Sequence, residues 1–313
     1  MNEIGMGTLM QAVRYHEFGE VDVLHLEHIP VPQPQAGEVL IRVYAAGVLP
    51  VDWKIRRGLF PMPVQFPVIP GTAFSGVVVG LGEGVSKWQI GESVFGRSTK
   101  GTYAEYTTAP EDVIARKPAS ITHEEAATLS GGATTAWRAI VSEGNVQPRE
   151  RVLIHGAAGG VGLFAVQFAK GIGAEVIGTA GTANVAYVKS LGADQVIDYT
   201  AERFEEIVRD VDLVLDTVGG ETLARTWSVL KPGGRLVSIA GQPPMEKAKQ
   251  AGIQVIRPGV ATSGDLKAIA ELIEAGKLTI NIEMSFALAD VRQAHEKSQT
   301  GHGRGRVVLR VRD

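Results

Sequence analysis

The stretch "RVLIHGAAGGVGLFAVQFAKG", residues 151–171, constrains the fold more than any other part of the chain. RVLIH reads as a short buried strand and VGLFAVQFAKG as a helix. Crowded between them are Gly156, Gly159, Gly160 and Gly162. Glycine at such a junction permits a tight turn and lets backbone amides approach a phosphate at the start of the helix. In the G-x-G-x-x-G fingerprint of dinucleotide-binding folds, Ala157 takes the first place, and Gly159 and Gly162 take the other two. The plain alternative is a tight strand–helix turn with no ligand. What favours the dinucleotide is position, because this unit heads a series of further strand–helix units.

AEVIGTA, QVIDY, VDLVLDTVGG, RLVSIAG and IQVI read as strands. NVAYVKSLG, ERFEEIVRD, ETLARTWSVLKPGG and MEKAKQAG read as the connections, with Gly192 closing the first of these helices. Such alternation predicts an α/β domain with a doubly wound parallel sheet. The chain before it carries β-type segments (QAVRYHEF, VDVLHLEHI, EVLIRVYAAGV, GVVVGLG, ESVFGR) separated by Gly and Pro. ITHEEAATL breaks that pattern, Thr122 with Glu125 forming a capping box. After a last helix, GDLKAIAELIEAG, the tail ends in a strand able to rejoin the first domain. We therefore expect a β-rich domain from residues 1–128 and 270–313, interrupted by an α/β domain over 129–269.

NAD-binding folds place Asp or Glu about 20 residues beyond the loop, at the end of the second strand, to hold the ribose hydroxyls. Here EVIGTA ends at Ala180, and Gly181, Thr182, Ala183 and Asn184 follow. None is acidic. A small, neutral, hydroxyl-bearing pocket has room for a 2′-phosphate, which favours NADP(H).

Other classes are excluded by composition and by missing motifs. With no cysteine, disulfides and Cys-ligated zinc are impossible, and a cytoplasmic home is expected. Net charge is −3 with Lys and Arg spread along the chain, which argues against nucleic acid as the main partner. No apolar run is long enough to span a membrane. The start, MNEIGMGTLM, lacks the features of a signal peptide; it reads as a frayed extension, or Met10 as the natural start. No tyrosine is followed four places on by lysine, and neither a G-x-S-x-G elbow nor a G-x-x-x-x-G-K-[ST] loop occurs. His25 and His28 on one strand point to opposite faces and make a poor metal pair.

From Met10 to Val311 the chain resembles the medium-chain dehydrogenase/reductase superfamily, in its zinc-independent quinone oxidoreductase branch. The carriers are "AAGVLPVDWKIRRG", "FPVIPGTAFSGVV", "GTYAEY", "GATTAWRAI", "HGAAGGVGLFAVQFAK", "SLGADQVIDY", "LDTVGG", "KPGGRLVSIAG" and "GRGRVVLRV". The resemblance implies a GroES-like β-rich catalytic domain and a Rossmann domain. It implies that Thr135 lies near the nicotinamide and that Gly159, Gly160 and Val161 hold the pyrophosphate. It places Thr179, Ala180, Gly181 and Tyr199 around the adenosine end; a ring simply packed at a strand end is the alternative for Tyr199. Val218 and Ser238, Ile239, Ala240 and Gly241 would line the nicotinamide side. It also implies a homodimer, with IQVIRPG as the last strand of the Rossmann sheet.

Departures from the family carry equal weight. Leu49, Thr72 and Gly131 stand where zinc-dependent relatives carry their ligands, and none supplies the His or Cys donors that zinc prefers. Leu49 also replaces the asparagine frequent in the zinc-free branch, Ala73 replaces an acidic residue, and Val185 a lysine frequent near a 2′-phosphate. Arg304 or Arg306 is a candidate to compensate for that lysine. Asp52, Lys54 and Arg56 alternate after "GVLP" and form either one cleft wall or a solvated, ion-paired face. Phe60, Met62 and Phe66 either line an apolar substrate pocket or cap the β domain.

The expectation is an NADPH-dependent, zinc-free enzyme transferring hydride to quinones or α,β-unsaturated carbonyls. Its substrate-cleft candidates are Leu49, Asp52, Lys54 and Phe60, and no residue is assigned as general acid. A non-enzymatic NADPH-binding protein, crystallin-like or redox-sensing, is the competing reading.

Overall fold

The computed structural model describes residues 7–312. In chain order its strands and helices are β1 (Leu9–Arg14), β2 (His25–Pro30), β3 (Glu38–Val48), α1 (Pro50–Arg56), β4 (Ala73–Leu81), β5 (Ser93–Arg97), β6 (Tyr106–Pro110), β7 (Ile114–Arg116), α2 (His123–Ala127), α3 (Thr134–Trp137), β8 (Arg151–His155), α4 (Gly162–Ile172), β9 (Glu175–Ala180), α5 (Val185–Ser190), β10 (Gln195–Asp198), α6 (Phe204–Ile207), β11 (Val211–Asp216), α7 (Gly220–Thr226), β12 (Leu230–Ser238), α8 (Met245–Ala251), β13 (Gln254–Ile256), α9 (Ser263–Glu274), β14 (Ile282–Ala287), α10 (Val291–Gln299) and β15 (Arg306–Arg310). They form two compact units. One comprises the chain up to Gly131 together with Thr262 onward, the other Gly132–Ala261.

The Gly132–Ala261 unit holds a six-stranded sheet in the order β10-β9-β8-β11-β12-β13. All its neighbours run parallel. This is the doubly wound order, in which the chain reverses direction across the sheet between β8 and β11 and leaves a crevice at the carboxyl ends of those strands. The strands read as apolar runs because both faces are covered. Leu153, Ile177, Ile197, Val214 and Leu236, one from each of five strands, belong to one buried cluster.

The other unit is built on a seven-stranded sheet, β14-β15-β3-β4-β5-β7, with β6 added on β3. A two-stranded ribbon of β1 and β2 stands beside it. The C-terminal strand does return: β15 pairs antiparallel with β3, Val307 opposite Val48. Alternate inward residues of β3, Val39, Ile41 and Val43, pack with Phe74, Val78 and Val94. Of the amino-terminal extension read from the sequence, residues 1–6 lie outside the described residues. Met10 is core, 2% exposed within β1.

Asp52, Lys54 and Arg56 do not alternate along an extended segment, because Pro50 opens a helix there with proline at its first position. On a helix, residues four apart share a face. Asp52 and Arg56 are therefore both buried, while Lys54 points elsewhere, its ammonium 5.6 Å from the centre of the Trp53 ring.

Candidate functional site

The glycine loop sits at the carboxyl end of β8, at the point where the sheet order reverses. Gly156 adopts φ +68°, a left-handed value that favours glycine. A Cβ at Gly162 would collide with the Gly156 carbonyl oxygen, so the helix start can close on the turn only without a side chain. The loop is tied down from below. Its Ala157 amide donates to the Thr179 carbonyl at 3.0 Å, and the Thr179 hydroxyl accepts from the Gly156 amide at 3.3 Å. The same hydroxyl lies 3.2 Å from Nδ1 of buried His155, whose Nε2 is 3.1 Å from the Thr226 hydroxyl. Burial pushes the His155 imidazole down to about 4, so the ring is a neutral strut at physiological pH. Thr179 thus acts beneath the loop. Above it, α4 begins at Gly162, and Val161 at the N-cap position makes no side-chain cap. The amides of Val161 and Gly162 donate to no acceptor among the described residues. An uncapped helix start behind a glycine turn is a ready anion site, and these residues fit a pyrophosphate.

At the end of β9, Ala180 is buried and its carbonyl accepts from the Tyr199 amide at 3.1 Å. Tyr199 itself is 51% exposed, and its hydroxyl stands 3.2 Å from the place a Gly181 Cβ would take. The half-exposed ring therefore flanks Gly181 at the strand end.

The ends of β11 and β12 complete this edge. Val218 is 53% exposed and Ile239 37%. Ser238, Ala240 and Gly241 form the turn after β12, with the Gly241 amide donating to the Ser238 hydroxyl at 3.2 Å. Asp216, which the sequence reading left out, organises all of it. Its carboxylate accepts from the amides of Val218 (3.0 Å) and Gly219 (2.8 Å) and from the Ser238 hydroxyl (2.7 Å). The signal was present in "LDTVGG", an acidic residue closing a wholly buried strand. Thr135 is half-buried in α3 of the same unit.

In the β-rich unit, Leu49 precedes α1 and is buried. A Cβ at Gly131 would meet Leu49 Cδ1 at 2.7 Å, so the Leu49 side chain fills the space beside Gly131, these being two of the three positions the resemblance implies for zinc ligands. Thr72 offers only a hydroxyl, and the described residues contain no group of three or more His, Cys, Asp or Glu arranged to hold a metal. The donor set does not fit zinc. Behind Leu49 lies Asp52, which accepts from the Leu49 amide and from the Tyr103 hydroxyl, both at 2.8 Å. Burial raises its carboxyl to about 6 despite these bonds and the nearby Arg306. Arg306 is itself buried, which brings it down to about 10, and its Nη2 donates to the Gly131 carbonyl at 3.1 Å. Asp52 therefore positions α1 from inside. Arg56 is likewise committed, to the Gly19 carbonyl and the Gln299 side chain. Phe66 caps the unit, packing edge-on against Tyr15 and Phe18 at 5.9 and 5.0 Å. Phe60 and Met62 remain exposed, and Arg304 is exposed on the loop before β15.

Comparison with known proteins agrees with this architecture. Residues 35–119 match the family described as "Alcohol dehydrogenase GroES-like domain" and residues 191–309 "Zinc-binding dehydrogenase". Residues 126–222 match "Alanine dehydrogenase/PNT, C-terminal domain". The chain is 33% identical to the quinone oxidoreductase of Mus musculus, covering 96% of this chain and 98% of that one. It is 34% identical to the 2-methylene-furan-3-one reductase of Solanum lycopersicum, covering 98% and 80%. The solved quinone oxidoreductase from Coxiella burnetii superposes with a TM-score of 0.93 at 35% identity, over 97% of this chain and all of that one. The Rossmann unit and these relatives together support a nicotinamide cofactor. The chain belongs to the medium-chain dehydrogenase/reductase superfamily as a quinone oxidoreductase-like protein, and it is an oxidoreductase.

Proposed function

We propose that the protein is an NADPH-dependent, zinc-free reductase of quinones or α,β-unsaturated carbonyls. The observation that carries this reading is the uncapped start of α4 behind the glycine turn, combined with an uncharged end of β9 at Ala180. When bound, the reduced dinucleotide supplies a hydride at its nicotinamide ring. The chain's residues do the rest. Gly159, Gly160 and Val161 receive the pyrophosphate. Asp216 holds Val218, Gly219 and Ser238 in place for the nicotinamide side. Leu49 presents an apolar surface in place of a metal ligand, with Phe60 and Met62 as further apolar contacts. Quinones and enones already carry a low-lying acceptor and need no Lewis acid, whereas a simple alcohol does. Relatives named for quinones and for a furanone substrate support the same class. No helix is long and apolar enough to cross a membrane among the described residues. We place the protein in the cytoplasm as a homodimer.

Steady-state oxidation of NADPH and NADH against a panel of quinones, enones and aldehydes tests the reading. Turnover of quinones or enones with NADPH ahead of NADH is expected. Turnover of aldehydes alone, or faster reaction with NADH, would overturn the substrate or the cofactor assignment respectively.

A further inference from the structure

The uncharged end of β9 has a charged neighbour that sequence order conceals. β10 runs parallel to β9 with Asp198 in register beside Ala180. The Asp198 carboxylate accepts from the Thr200 amide at 3.0 Å and from the Thr200 hydroxyl at 2.7 Å. The Thr200 hydroxyl is in turn 2.9 Å from the Thr182 hydroxyl. A hydroxyl has one hydrogen. Thr200 spends its hydrogen on Asp198, so Thr182 is the donor to Thr200. Both hydroxyl hydrogens thus run toward a carboxylate, and the neighbouring Thr182 and Thr200 side chains hold that carboxyl below its ordinary range. Thr182 stands directly after Gly181 and opens the short turn Thr182–Asn184. Tyr199, the residue after Asp198, is the exposed ring bordering Gly181.

We propose that Asp198 is the specificity-determining residue that limits the chain's preference for a 2′-phosphorylated dinucleotide. This rests on the reading of the Gly181–Tyr199 rim as the adenosine end. A 2′-phosphate arriving at this rim meets a fixed negative charge. It meets hydroxyls already committed as donors to that charge, and Val185 where a cation would help. A ribose bearing only hydroxyls brings no charge for Asp198 to repel. NADPH and NADH are therefore separated by less than the uncharged sequence of residues 180–184 implies.

The test is Asp198→Asn, which removes the charge while its amide oxygen still accepts from Thr200. Wild type and variant are titrated with NADPH and NADH by calorimetry at low and high salt, with thermal melts as a check on folding. The variant is expected to bind NADPH about 3- to 10-fold more tightly, with NADH unchanged within about twofold. The wild-type affinity ratio of NADPH to NADH is expected to rise with salt, as screening weakens the repulsion, and the variant's ratio is not. The salt series on the wild type needs no variant and stands if Asp198→Asn misfolds. An unchanged ratio in the variant, an equal change in both affinities, or a wild-type ratio that falls with salt would overturn the proposal. A wild type that favours NADH while Asp198→Asn still shifts the ratio toward NADPH sinks the NADPH assignment alone. A wild type that binds neither dinucleotide sinks both.

Discussion

A methyl group at Gly162 would run into the Gly156 carbonyl oxygen, whereas one at Gly159 would meet that same oxygen at 3.3 Å, a tight contact that a shift of a few tenths of an ångström relieves. Two glycines of one fingerprint therefore do different jobs. Gly162→Ala is expected to cost about 1–3 kcal/mol of stability through overpacking and to weaken dinucleotide binding as well. Gly159→Ala is expected to cost clearly less stability than Gly162→Ala while weakening binding about tenfold, since it adds bulk to the proposed pyrophosphate loop. Melts and titrations on the two variants check this; equal melting temperatures would contradict it. At Asp52 the issue is charge. Burial lifts its carboxyl to about 6, so the folded chain keeps this proton to higher pH than the unfolded chain, where it leaves near 4. The stability tied to the proton is full below about pH 4 and is lost as pH rises through about 6. Asp52→Asn lacks that titration. The stability of wild type relative to the variant should therefore fall between pH 4 and 7, by ~3 kcal/mol at most. Denaturant unfolding across that range measures it, and a flat difference would refute the raised value.

Among the elements, the readings that succeeded rest on local chemistry. The Thr122–Glu125 capping box forms as expected, the Thr122 hydroxyl accepting from the Glu125 amide at 3.1 Å and Glu125 accepting from the Thr122 amide at 2.8 Å. β8 to β11 and β13 were legible as strands because each is a short apolar run bounded by glycine or by charge, whereas β12 begins at Leu230, in the KPGG-containing stretch expected to be a connection. α1 was not, since seven residues are too few to show helical periodicity and "VDWKIR" alternates in hydropathy. β13 ends its sheet, with β12 on one side and no strand on the other among the described residues. An open edge invites pairing with the same edge of a second chain. Light scattering at micromolar concentration is expected to give twice the chain mass, and a monomer would count against the dimer.

For the whole molecule, the strongest prediction concerns metal. The three family positions carry Leu49, Thr72 and Gly131, and Leu49 packs against Gly131. Elemental analysis of the purified protein is expected to find well under one zinc per chain, with activity indifferent to EDTA. NADP⁺-dependent oxidation of primary alcohols should be negligible, since nothing in the donor set lowers an alcohol's pKa. One bound zinc per chain, or robust alcohol oxidation, would reverse the assignment.

The parallel sheet and the glycine loop at its head were legible from residue order alone, as was the presence of Leu49, Thr72 and Gly131 at three family positions. Each of these depends on residue type at a fixed local spacing: strand and helix periods, a turn that admits only glycine, a side chain that lacks a donor atom. The tertiary structure alone decided that Asp198 stands beside Ala180, that Arg306 reaches the Gly131 carbonyl, that Asp52 is sealed behind Leu49, and that Asp216 ties two strand ends together. Residues 180–184 carry no acidic side chain, and Asp198 comes beside Ala180 from the next strand. Strand register and burial bring together groups far apart in the chain, and the energy of a charge is set by what surrounds it in space.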